Sequence, residues 1–298
     1  MVNEPARSLD FNLVRCYLLP MSEMIPERPW TEYTFVAFDT ETSGAYPLGA
    51  DVVEFGAVKW QGGKIIDEMQ TLLKPSTLMS DFIIGIHGIT NEMVESAPLM
   101  KDKISEISEF FKGAVVMAHH APFDLGFMTV EFEKYHIPLP QDAVLCTSLL
   151  SRQLIKESPN HKLQTLIKFL NLPQGTAHRA MDDAKACLSV GLECMNRVGT
   201  WAPLSVISSK MGKTLDWKKY ELLFYRQPKY QTVVESLLTQ KDLDIVYEGG
   251  SVKGKPRRIS PIGIVRNPDG DYVMAVCHLD RAQKRFYFDK ISDLSIVF

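Results

Sequence analysis

Cysteine is scarce and shows no pairing pattern. The 298-residue chain has five (Cys16, Cys146, Cys187, Cys194 and Cys277), an odd number without a CxxC or a Cys/His ligand spacing, so neither a disulfide framework nor a zinc site is signalled. Long apolar runs are missing too: nothing reaches the roughly eighteen apolar residues that a membrane span needs. The apolar stretch from Asn12 to Met21 is broken by Arg15 and has no small-residue cleavage site. These absences lead us to expect a soluble cytoplasmic protein with no membrane partner. Internal repeats and low-complexity tracts are lacking, and neither sign of charge dominates. A net charge of −3 excludes a protein that coats nucleic acid by charge alone.

What is present is ordinary in bulk and uneven in distribution. Hydrophobic residues at 45% and charged residues at 23% are globular values, and the length suits two domains. Residues 1–199 hold 17 Lys and Arg against 25 Asp and Glu, whereas residues 200–298 hold 16 against 11. An acidic front half joined to a basic back half suggests separate tasks.

Residues 1–32 carry Pro5, Pro20, Pro26 and Pro29 with little periodicity and read as an irregular arm. Over 33–199, apolar runs predict strands at Phe35–Phe38, Val52–Trp60 and Ile65–Leu73, then a helix over Lys101–Phe111. A strand at Ala114–Ala118, a helix opening at Pro122, a short strand at Ala143–Cys146 and helices near Leu163–Leu170 and Arg179–Arg197 complete an α/β domain. Residues 200–227 have no clear period and are a linker candidate. From 228 to 298 one amphipathic helix is followed by short strands, two of them joined at the turn Asn267-Pro268-Asp269-Gly270.

Four acids of the first domain stand out. The period of two places Asp39 and Glu41 on one face of an otherwise apolar strand. Side by side they repel and lose solvation, so they require a cation or a proton, although a lone DxE is more often a strand end emerging into solvent. Asp124 opens a helix after Pro122, where the dipole favours an acid anyway, but that helix is apolar nearly all round. In His178-Arg179-Ala180-Met181-Asp182-Asp183, Asp183 falls at the edge of the stripe formed by Ala180, Ala184, Cys187 and Leu188, while Asp182 points away. His178, taken alone, is more often a capping or surface histidine.

The ordered set, a DxE on the first strand, an acid opening a later helix and HxxxxD opening the last one, resembles the DEDDh 3′-to-5′ exonucleases, the DnaQ-like family. Phe38-Asp39-Thr40-Glu41-Thr42-Ser43-Gly44 and Ile86-His87-Gly88-Ile89-Thr90 match it as well. The resemblance implies an RNase H-like mixed sheet, two divalent ions (Mg²⁺ or Mn²⁺) held by Asp39, Glu41, Asp124 and Asp183, and His178 as general base. It further implies that Thr42, Ser43 and His87 meet the terminal nucleotide of a single-stranded DNA or RNA 3′ end, and that nucleoside 5′-monophosphates are released. One departure is His120, where the family commonly has Asn.

In the back half, Ile245-Val246-Tyr247, Arg258-Ile259-Ser260-Pro261, Asp271-Tyr272-Val273 and Arg285-Phe286-Tyr287-Phe288 look like a WYL domain with its tryptophan replaced. That resemblance implies a small Sm-like or SH3-like β-barrel that binds nucleic acid, or a nucleotide or oligonucleotide ligand. Tyr247, Arg258, Arg266, Tyr272, His278 and Arg285 are its candidate contacts, by phosphate pairing and base stacking. The same lysines and arginines are also what a solvated strand edge carries. Two functions follow: a metal-dependent exonuclease with a basic accessory domain, or a regulator in which a degraded nuclease fold only holds nucleic acid.

Overall fold

In the computed structural model, residues 27–173, 175–221, 226–250 and 252–297 are described. Most of the expected arm, and Phe224 and Tyr225 of the expected linker, lie outside the described residues. The first unit is built on β1 (Phe35–Thr42), β2 (Val52–Gln61), β3 (Lys64–Leu72), β4 (Val115–Ala118) and β5 (Val144–Cys146), in the order β3-β2-β1-β4-β5. The first three pair antiparallel and β4 and β5 run parallel to β1. This is the mixed sheet that the resemblance implied. Phe35 to Phe38 are fully buried because β1 is central and covered on both faces.

Helices α1 (Asp81–His87), α2 (Asn91–Val94), α3 (Met100–Phe111), α4 (Pro122–Lys134), α5 (Thr147–Leu154), α6 (Leu163–Phe169), α7 (Ala180–Val198) and α8 (Leu204–Ser209) surround that sheet. The periodicity did not reveal α1, α2, α5 or α8, all of eight residues or fewer. The long α7 crosses β1 and β2 closely. A Cβ at Gly56 of β2 would stand 2.3 Å from the carbonyl carbon of Ala180, so only glycine admits the helix there.

Two expected boundaries move. Trp30, assigned to the arm, is 3% exposed and stacks on Trp60, with its indole N–H donating to Gly199 O at 3.0 Å. Leu204, Ile207, Met211, Leu215, Trp217 and Tyr220, assigned to the linker, are buried in the same core. Trp217 packs against Phe38, Phe111 and Phe132, and Leu215 bridges to Val144 at the edge of β5. This segment is a strap that covers a sheet edge: Leu204, Ile207 and Met211 follow one short helical stripe through α8, and beyond it Leu215, Trp217 and Tyr220 are buried at irregular spacing.

The second unit is α9 (Pro228–Thr239) followed by β6 (Leu243–Tyr247), β7 (Pro256–Val265), β8 (Tyr272–Cys277), β9 (Ala282–Tyr287) and β10 (Ile291–Ile296). The order is β10-β6-β7-β8-β9, antiparallel throughout. Among the described residues β9 and β10 are not paired with each other, so no closed barrel is found where the sequence led us to expect an Sm- or SH3-like one. The turn at Asn267–Gly270 forms as read, with Gly270 N–H donating to Asn267 O at 2.9 Å and Gly270 at φ 125°.

The units meet through the loop between β1 and β2. A Cβ at Gly263, beside the bulge in β7, would lie 2.2 Å from Cγ of Tyr46, so the Tyr46 ring occupies the space a side chain would take. Leu48 packs on the second core. Arg266 pairs with Asp271 at 2.6 Å and donates to the Lys219 carbonyl, and Lys213 pairs with Asp269.

Candidate active site

Alternation along β1 brings Asp39 and Glu41 to one face at the end of the strand. Their partners across the ladder on β2 are Gly56 and Glu54. Gly56 offers no side chain, and the first turn of α7 enters that space, so Asp183 is set down beside the β1 acids. On the other edge of β1, pairing with β4 reaches only Ala37. Beyond it the Thr40 N–H is free for Asp124, whose Oδ1 accepts from Thr40 N at 3.1 Å and from Thr40 Oγ1 at 2.8 Å. The four acids of the sequence motifs therefore converge, although they come from three elements.

Asp183 is buried, accepting from His178 N at 3.0 Å and from Gln164 Nε2 at 3.1 Å. Its neighbour Asp182 is half-buried and accepts from Thr176 N at 2.7 Å, closing the loop ahead of α7 rather than pointing freely into solvent. His178 is exposed, at φ 59°. Glu41, His178 and Asp183 each offer a ligand atom within 4.8 Å of the others. Contact geometry thus groups His178 with two of the acids, whereas Asp39 and Asp124 are tied to them electrostatically.

Burial pushes Asp39 well above the carboxylate range, reinforced by Asp124, Glu41 and Asp183. Glu41 is raised to about 8 by burial, then by Asp183, Glu54 and Asp124, with Arg179 opposing. Asp124 reaches about 7, burial outweighing the Thr40 hydrogen bonds that favour its anion. Asp183 is raised by burial, against the pull of the His178 N–H. Such a group carries unbalanced negative charge in a poorly solvated place, and its hard oxygen donors suit Mg²⁺ or Mn²⁺.

The positions from the weaker motifs are also fixed. Thr42 Oγ1 donates to Gly44 O at 2.7 Å, and Ser43 Oγ accepts from Asp51 N at 2.8 Å, so both close the loop after β1. His87 is buried beside the Thr42 backbone with Nδ1 accepting from Ile89 N at 3.0 Å. His120 adopts φ 65°, a left-handed conformation that Asn enters readily and His tolerates, which accounts for the departure from the family pattern. His119 is a satisfied core histidine, bonded to Thr147 Oγ1 and His161 O.

The second-unit candidates divide between buried and exposed positions. Tyr247 is 7% exposed and packs edge-on to Phe286. Tyr272 is also buried, with Arg285 above its ring and Tyr287 beside it. Arg266 is buried at the junction. Arg258 is exposed and forked onto Asp244, while His278 bonds Ser260. What the motifs missed is Glu54, fully buried and holding Arg179 and the start of α7. A lone acid inside Val52-Val53-Glu54-Phe55-Gly56 was the available signal.

Residues 36–190 match the exonuclease (RNase T) family model. The chain belongs to the exonuclease family. Residues 228–296 match the WYL domain, so a DnaQ-like exonuclease domain is fused to a WYL domain in this chain. The PolC-type DNA polymerase III of Caldanaerobacter subterraneus subsp. tengcongensis is 34% identical over 220 residues, covering 73% of this chain and 15% of that protein. The PolC-type enzyme of Thermotoga maritima is 32% identical over 251 residues, covering 82% and 18%. This chain spans less than a fifth of the length of either relative. Among solved structures, E. coli exonuclease I in complex with a dA16 oligonucleotide shares the fold at 15% identity and a TM-score of 0.51, covering 89% of this chain and 63% of that one. Among the described residues no helix is long and apolar enough to cross a membrane.

Proposed function

We propose that the first unit is a metal-dependent 3′-to-5′ exonuclease acting on single-stranded or frayed DNA or RNA ends. The observation that carries this reading is the convergence of four acids from β1, α4 and α7 on a place where the anions are unstable without a cation, with His178 exposed beside them. Asp39, Glu41, Asp124 and Asp183 would hold two Mg²⁺ or Mn²⁺ ions, which activate water and stabilise the leaving oxygen when bound. His178, exposed and close to Glu41 and Asp183, takes the proton of the attacking water. Thr42, Ser43 and His87 border the place of the terminal nucleotide. Nucleoside 5′-monophosphates are the products. The match to PolC-type polymerases and to a fold solved with an oligonucleotide supports a nucleic-acid substrate.

The WYL domain binds nucleic acid or a nucleotide ligand in this reading, with Arg258, His278 and Arg285 the accessible candidates. The test is a 5′-labelled oligonucleotide, as DNA and as RNA, with Mg²⁺, Mn²⁺ or EDTA. A metal-dependent ladder shortening from the 3′ end is expected, lowered roughly 10²- to 10⁴-fold in His178→Ala and lost in Asp39→Ala. Tight binding of the oligonucleotide without any ladder would favour a non-catalytic nucleic-acid-binding regulator instead.

A further inference from the structure

Glu54 is a charged residue with no solvent exposure, and no motif of the site claims it. Four donors surround its carboxylate: Arg179 Nε at 3.1 Å, Arg179 Nη2 at 2.7 Å, Ala180 N at 3.0 Å and Gln70 Nε2 at 2.8 Å. These bonds outweigh burial and hold it below its ordinary range, so it is an anion committed to protein donors. A carboxylate so engaged is a poor further ligand for a cation, even though it faces Glu41 directly across the ladder.

What it holds is the turn that carries His178. The fork from Arg179 and the Ala180 N–H fix the two residues that follow His178, and His178 itself stands in the left-handed region at φ 59°, where the chain turns into α7. On the other side, His178 N donates to Asp183. The exposed imidazole thus hangs on a short segment anchored at both ends, and the β2 anchor is Glu54.

We infer that Glu54 is a positioning residue which, through Arg179 and the first amide of α7, aims the His178 imidazole at the water beside Glu41 and Asp183. This rests on the exonuclease reading and adds to it a residue that touches neither metal nor substrate. The planar two-point fork makes Arg179 irreplaceable by lysine in this role.

The test is a cycle of Glu54→Gln, Arg179→Lys and His178→Ala, with kcat, KM and thermal midpoint measured on folded protein. Glu54→Gln and Arg179→Lys are expected to lower kcat by about 10- to 100-fold with KM little changed, the scale of an ångström-level misplacement. In the His178→Ala background, Glu54→Gln is expected to change kcat less than twofold. An equal loss in both backgrounds, or no loss in the wild-type background, overturns the inference. A second readout needs no turnover: the NMR ring signal of His178, assigned by its disappearance in His178→Ala, should shift or split in Glu54→Gln, and an unmoved signal overturns the inference as well. A wild-type chain without metal-dependent hydrolysis but with that shift would instead count against the exonuclease reading alone.

Discussion

At the scale of single residues, the site trades stability for charge. Glu41 and Asp124 hold their protons to about 8 and about 7 in the folded chain, against 4.5 and 3.8 ordinarily, because burial and neighbouring acids disfavour their anions. Over that interval the folded chain binds more protons than the unfolded one, so the stability they contribute is complete below about pH 4 and is lost as pH rises toward 8. Metal-stripped protein should therefore melt at a lower temperature at pH 8 than at pH 5. A divalent cation should reverse this, by about 2.7 kcal/mol at a hundred times its Kd. Calorimetry with and without Mg²⁺ or Mn²⁺ at the two pH values checks it; a thermal midpoint indifferent to both would contradict the cation site.

Between elements, the decisive feature is the approach of α7 to β2. Asp183 reaches the β1 acids because Gly56 leaves room for the Ala180 backbone at a distance no side chain allows. Gly56→Ala puts a methyl group against main chain, not against a side chain that can swing away. Overpacking of this kind is expected to cost about 3 kcal/mol and to reduce turnover by moving Asp183 and His178 together. Urea unfolding and the oligonucleotide assay on the same preparation measure both. A fully stable, fully active variant would show that the helix can slide without loss.

Across the whole molecule, the loop between β1 and β2, which begins just after the DxE strand, packs against the WYL domain. Tyr46 lies on Gly263 and Leu48 enters the second core, while Arg266 reaches back to Lys219. Gly263→Val removes the space for the Tyr46 ring, and the expected outcome is a looser junction: faster limited proteolysis between the units and two thermal transitions where the wild type shows one. The cost is expected at about 1–3 kcal/mol. Unchanged proteolysis and a single transition would mean that the Tyr46 contact does not hold the units together.

The sequence by itself determined the elements that repeat a period and the residues that break one. Alternation marked β1 and its two acids, the 3.6-residue stripe separated Asp183 from Asp182, and Asn267 to Gly270 marked a turn; all are local and are decided by the chain's own geometry. Tertiary structure alone decided that the strap from Leu204 to Tyr220 belongs to the first core, because the helical stripe of Leu204, Ile207 and Met211 is only two turns long and the buried residues after it follow the contour of a sheet edge. It decided that β9 and β10 are left unpaired with each other among the described residues, since closure depends on whether two edge strands meet. It also decided the place of Glu54, whose partners Arg179 and Ala180 lie 125 and 126 residues away, a distance over which no pattern in sequence reports a hydrogen bond.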